Sequence, residues 1–131
     1  MEVINIQPTN VSPEVILDIE NNIFSIRGRS VVSEVDSFYA PVLEWLEKAE
    51  GRLHNKIQFV FDLEYFNIFS SKRMLFILYR LNELKKLGAD ISIVWYFSAE
   101  DDDMKEVGED FACMVNLPFE FICKSLDPEL I

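Results

Sequence analysis

The 131-residue chain is 50% apolar and 27% charged, with 11 phenylalanines; this fits one packed domain and excludes a disordered chain. Its 23 acidic residues against 12 basic ones leave a net charge of −11, which repels nucleic-acid phosphates and anionic lipid, so neither is expected as a partner. No apolar run approaches the roughly 18 residues of a membrane span, and the opening Met-Glu-Val-Ile-Asn-Ile lacks the basic segment of a signal peptide, so a cytoplasmic protein is expected.

Residues 3–7 predict a short edge strand closed by Pro8. Val15, Leu17 and Ile19 then alternate with Glu14, Ile16, Asp18 and Glu20, a period of two that predicts a strand with one more polar face. Asn21-Asn22 suits a tight turn, because Asn tolerates positive φ. Phe24 and Ile26 continue as a second strand ending at Gly28, which completes an antiparallel N-terminal hairpin.

Phe38, Val42, Trp45, Leu46 and Ala49 fall on one stripe of a 3.6-residue period and predict a helix over about 37–50, closed by Gly51. Pro41 fits only if that helix begins just before it, with Asp36 or Ser37 near the cap. Residues 57–65 are β-rich. A second helix over about 70–87 ends at Lys85-Lys86-Leu87-Gly88, with cations in the last turn and a glycine past it. Residues 90–97 are nearly continuous in apolar character, as in a strand covered on both faces. Met104, Val107, Phe111, Met114 and Val115 predict a third helix over about 102–116, stopped by Pro118, and residues 119–123 a last short strand. Strands joined by helices pair in parallel through right-handed crossovers. The fold class is therefore α/β: one domain over residues 1–131, with a mixed sheet, an N-terminal antiparallel hairpin, parallel βαβ units and three helices.

Groups for chemistry are few. His54 is the one histidine and sits in the polar Arg52–Lys56 loop, which reads as surface. The four glycines never take a GxGxxG or GxxxxGK[ST] spacing, so neither nucleotide fingerprint is present. Cys113 and Cys123 lack CxxC spacing and read as reduced thiols in a core. The acidic run carries Glu100, Asp101, Asp102, Asp103, Glu106, Glu109 and Asp110 against Lys105 alone. Acids there cap a helix and complement its dipole. The competing reading is a Mg²⁺-dependent hydrolase built on Asp62, Glu64 and Asp101–Asp103. No cofactor is expected.

The junction Glu64-Tyr65-Phe66-Asn67-Ile68-Phe69-Ser70-Ser71-Lys72 hands a strand to a helix, with a serine pair at the join. A serine there can cap the helix, or it can carry a phosphate, which meets free N–H groups and a favourable dipole. On a helical wheel, Met74, Ile77, Leu78, Leu81 and Leu84 share the inward arc. Phe76, Tyr79 and Leu75 fall on the far side with Lys72, Arg73, Arg80 and Glu83. Aromatics beside arginines on a solvent face are the residue types enriched in interface hot spots.

The blocks Phe38-Tyr-Ala-Pro-Val-Leu-Glu-Trp-Leu46, Leu63-Glu-Tyr-Phe-Asn67 with Ser70-Ser71-Lys72, Val94-Trp-Tyr96, and Gly108-Glu-Asp-Phe111 leading to Leu117-Pro-Phe119 resemble the SiaC family of bacterial regulatory phosphoproteins. That domain is similar to the STAS fold of anti-sigma-factor antagonists, and the resemblance covers most of the chain. It implies a non-enzymatic switch: a Ser/Thr kinase modifies a hydroxyl residue after the Tyr-Phe/Leu-Asn motif and a phosphatase restores it. The same resemblance implies that the unmodified form binds and activates a diguanylate cyclase. In the family, Thr or Ser directly follows the Asn, whereas here Ile68 and Phe69 stand there. The implied acceptor passes to Ser70 first and Ser71 second, with Asn67, Lys72, Arg73, Phe76, Tyr79 and Arg80 as partner-binding residues. The alternative is an unregulated STAS-like adapter that lacks the acceptor.

Overall fold

The computed structural model describes residues 1–124. The strands are β1 (Ile4–Ile6), β2 (Glu14–Asp18), β3 (Ile23–Ser30), β4 (Ile57–Phe66), β5 (Ile91–Ser98) and β6 (Phe119–Lys124). The helices are α1 (Val35–Lys48), α2 (Ile68–Lys86) and α3 (Asp102–Met114). The strands lie in one sheet in chain order; β1, β2 and β3 pair antiparallel, and β3 to β6 pair in parallel. This is the mixed α/β sheet that the sequence predicts. Asn22 makes the hairpin turn at φ 56°.

Each crossover moves one strand further in the same direction, so right-handed connections put all three helices on one face. The alternating residues Val15 and Leu17, Phe24 and Ile26, Phe59 and Phe61, Ile93 and Trp95 line that face and join the core. α1 reaches it through Trp45, edge-on to Phe24, and α3 through Phe111, edge-on to Trp95. Helices thus cover one face of β5, where the sequence predicts two. Val94, on the uncovered face, is shielded instead within the sheet, in register with Val60 and Glu120.

The boundaries near Gly28, Pro41 and Asn67 differ from expectation. β3 runs past Gly28 to Ser30, because Gly28 (φ 114°) accommodates a register shift in which Glu64 of β4 has no partner. α1 starts at Val35, so Pro41 lies inside it rather than in its first turn. The proline leaves the Ser37 carbonyl without its helical donor, but Ser37 is exposed and water can serve it. α2 starts at Ile68, two residues before the serine pair, because Asn67 caps it: its side chain accepts from the Ser70 N–H at 3.0 Å.

Trp95 is the hub of the sheet's helix-covered side. It is 1% exposed and ringed by Phe61, Phe66, Phe111 and Phe119 at 5.4–6.5 Å between centroids. Its indole N–H donates to the Met104 carbonyl at 3.0 Å, which fixes α3 upon it. Gly108 makes that seat possible: a Cβ there would lie 2.5 Å from the indole nitrogen.

Candidate protein-docking site

The C-terminal end of β4 delivers the chain into α2, and Asn67 organises the join. Its N–H donates to the Ser30 carbonyl at 3.2 Å, and its own carbonyl accepts from Ser71 at 2.9 Å. Ile68 and Phe69 open the helix on its outer side, 79% and 64% exposed. At 100° per residue, Ile68, Lys72, Phe76 and Tyr79 fall within one arc, with Phe69 at its edge. Phe76 is 38% and Tyr79 43% exposed. The Lys72 ammonium lies over the Phe76 ring, 5.7 Å from its centroid. The earlier helix start therefore lengthens the exposed apolar row by two large side chains.

The sequence-selected residues divide. Lys72, Phe76 and Tyr79 lie on this open face. Arg73 and Arg80 turn to the flank and tie α2 to α1. Arg73 pairs with Asp36 and donates to the Phe69 carbonyl at 3.5 Å. Arg80 donates to the Leu46 and Glu47 carbonyls at 3.3 and 3.2 Å and pairs with Glu47 and Glu50 at 3.5 and 3.7 Å. A cation on the last carbonyls of α1 complements that helix's dipole. Asn67 is a cap; it positions the row without forming part of it.

The two serines also part company. Ser70 is 0% exposed. The Tyr39 hydroxyl donates to Ser30 Oγ at 2.5 Å, and Ser30 Oγ donates to Ser70 Oγ at 2.8 Å, a buried chain that ties α1, β3 and α2 together. Ser30 and Tyr39 escaped the sequence reading, since β3 was expected to stop at Gly28 and the α1 stripe was assigned to Phe38. Ser71 is half-buried.

Burial pushes the Tyr39 phenol up to about 12. The folded state thus favours the neutral phenol. Its contribution is complete below the ordinary tyrosine value of about 10 and is lost as pH rises from there through about 12. Urea unfolding followed across that window should show stability falling, and Tyr39→Phe should flatten the slope.

Elsewhere the carboxylates serve structure. Asp101 caps α3 by accepting from the Met104 N–H at 3.0 Å, with Asp102 and Asp103 in the first turn. Asp62 pairs with Arg27 at 2.8 Å and with Lys124, and Glu64 lies 3.8 Å from Arg29. Among the described residues no group of three His, Cys, Asp or Glu side chains could hold a metal ion. His54 is exposed in its loop. Cys113 and Cys123 are free and exposed, against the expectation of core thiols: Cys113 falls on the outer side of α3, and Cys123 near the end of edge strand β6. No helix among the described residues is long and apolar enough to cross a membrane.

A family model described as SiaC family regulatory phosphoprotein matches residues 6–124. An uncharacterised protein of Pseudomonas aeruginosa is 24% identical over 119 residues, which span 91% of this chain and 94% of that protein. Of solved structures, SiaC of Pseudomonas aeruginosa superposes with a TM-score of 0.85 at 23% identity, over 95% of this chain and 100% of that one. A chain in the crystal structure of the diguanylate cyclase SiaD with its activator SiaC, from the same organism, also gives 0.85 at 23% identity, over 92% and 99%. At these identities the superpositions establish the fold.

Proposed function

The chain belongs to the SiaC family of regulatory phosphoproteins, and from that membership we propose that it is a non-enzymatic signalling protein that binds and activates a diguanylate cyclase. The observation that carries this reading is the apolar row of α2. Four large side chains, Ile68, Phe69, Phe76 and Tyr79, stand in solvent on one helix, where burial against a partner would repay their exposure. SiaC of Pseudomonas aeruginosa is the activator in a complex with the cyclase SiaD, which supplies the partner class. Titrating the protein into a purified diguanylate cyclase of its own cell, with cyclic di-GMP followed over time, tests the reading. Saturable activation is expected; neither binding nor activation at any ratio would refute it.

Control by a kinase and a phosphatase belongs to the same proposal, with Ser71 as the acceptor. A kinase needs a hydroxyl it can reach, and Ser70 is enclosed in the chain with Ser30 and Tyr39. A phosphate on Ser71 would add nearly two negative charges in the first turn, beside the apolar row. Docking should weaken through desolvation and through repulsion by any acidic partner surface. With the cognate kinase, Ser71→Ala should abolish labelling and Ser70→Ala should keep it; the reverse pattern would move the acceptor to Ser70. A second reading, an unregulated adapter, is favoured by Ile68 and Phe69, which cannot be phosphorylated and occupy the most exposed positions of the turn. It predicts no labelling of either serine while cyclase activation persists.

A further inference from the structure

The face of the sheet that no helix covers is hollow beside the hairpin turn. Phe24, Ile26, Phe59 and Phe61 point into the helix-covered core, so strand alternation turns Ile23, Ser25 and Arg27, with Gln58 and Val60, to the open side. These residues and Lys56 line a concavity of about 440 Å³, within the size range of small-molecule sites. Its base is the parallel pairing of Ser25 with Val60. Its rim is braced at the turn, where the Asn22 side-chain amide donates to the Lys56 carbonyl at 3.1 Å.

The lining holds two cations, Arg27 and Lys56, and no carboxylate, in a chain of net charge −11. Lys56 has no ion-pair partner among the described residues. Arg27 gives one guanidinium nitrogen to Asp62 at 2.8 Å, and Asp62 is shared with Lys124, which leaves the remaining N–H groups of the fork for another acceptor. Asp18, on the same face, is taken up by the Asn21 N–H and amide at 3.1 and 2.7 Å. Ser25 is 2% exposed, yet its hydroxyl lines the concavity and has no hydrogen-bond partner among the described residues. A buried hydroxyl left without a partner is uncommon in a packed domain.

We infer that this concavity binds the phosphate group of a small molecule, free or as a monoester. Phosphate offers a dianion to the two cations and has oxygens enough to serve the Ser25 hydroxyl and the Gln58 amide as well. Ile23 and Val60 supply an apolar wall for the organic body of an ester. The overall acidity does not oppose this, because salt screens charges more than about 8 Å away and a small ligand reads the local field. A long polyanion meets the whole acidic surface and stays excluded. The site lies across the sheet from α2, and its test needs no cyclase.

The probes are inorganic phosphate, glucose 6-phosphate and AMP, with glucose and adenosine as controls, titrated into the full chain by calorimetry and by amide NMR. At least one phosphorylated probe should bind saturably and shift the amides of Ile23–Arg27 and Lys56–Val60, and the two controls should not. Lys56→Gln and Arg27→Gln should each weaken that binding by about tenfold or more. Lys86→Gln, the same charge change at the end of α2, should leave it unaltered. Lys56 and Arg27 are exposed, so their variants keep the fold and the test stays readable. Tighter binding of an ester than of inorganic phosphate would identify an organic phosphate as the ligand, and equal binding the free ion. No saturation by any of the three, equal binding of adenosine or glucose, shifts confined to other segments, or binding unchanged in either variant would overturn the inference.

Discussion

Replacing Trp95 by alanine is expected to cost the fold about 3–5 kcal/mol, the range for deleting a fully buried large aromatic side chain. The indole is shared by three strands and one helix. Its removal leaves a void among Phe61, Phe66, Phe111 and Phe119, and strips the Met104 carbonyl of its donor. Domains of this size are held by about 5–15 kcal/mol, so the variant should be marginal at 25 °C. The carbonyl sits in the first turn of α3, so that helix should loosen first, seen as accelerated amide exchange over Asp102–Met114. Urea unfolding gives the number directly. A loss below about 1 kcal/mol would mean that α3 is not seated on the indole.

The second large effect concerns docking and leaves stability almost untouched. Ile68→Asp should reduce affinity for the partner at least about tenfold, because a carboxylate would replace the most exposed apolar side chain of the row. The same substitution should stabilise the isolated protein slightly, by about 0.3–1 kcal/mol. It places an acid in the first turn of a helix that has none there. Opposite signs for affinity and stability exclude unfolding as the cause of lost binding. Equal affinity of variant and wild type, by calorimetry with the cyclase, would remove the start of α2 from the interface.

Most of the architecture was legible because it depends on local periodicity. The alternation in β2 and β3, the Asn21-Asn22 turn and the 3.6-residue stripes of the helices are properties of neighbouring residues. What escaped depends on neighbours remote in sequence or on competition between caps. Asn67 and the serine pair are both good N-cap residues, and nothing local says that Asn67 wins and thereby brings Ile68 and Phe69 into the helix. The burial of Ser70 depends on Ser30, 40 residues earlier, and on Tyr39. Arg73 and Arg80 are seven residues apart and so share a flank, but only the tertiary structure shows that α1 lies along it. The cysteines misled for a related reason: free cysteine is usually buried, but the outer side of α3 and the end of an edge strand override that tendency here.

The central claim, that a signalling partner docks on the outer face of α2, is tested most directly by hydroxyl-radical footprinting with and without the cyclase. The reaction marks accessible aromatic and sulfur-bearing side chains: Phe69, Phe76 and Tyr79 are exposed on α2, and Tyr96 is half-buried on the other face of the sheet. Protection of Phe69, Phe76 and Tyr79, with Tyr96 on the uncovered face of the sheet still reacting as in the free protein, is the predicted result. Protection of Tyr96 with Phe69, Phe76 and Tyr79 still reactive would place the partner on the open sheet and contradict the claim.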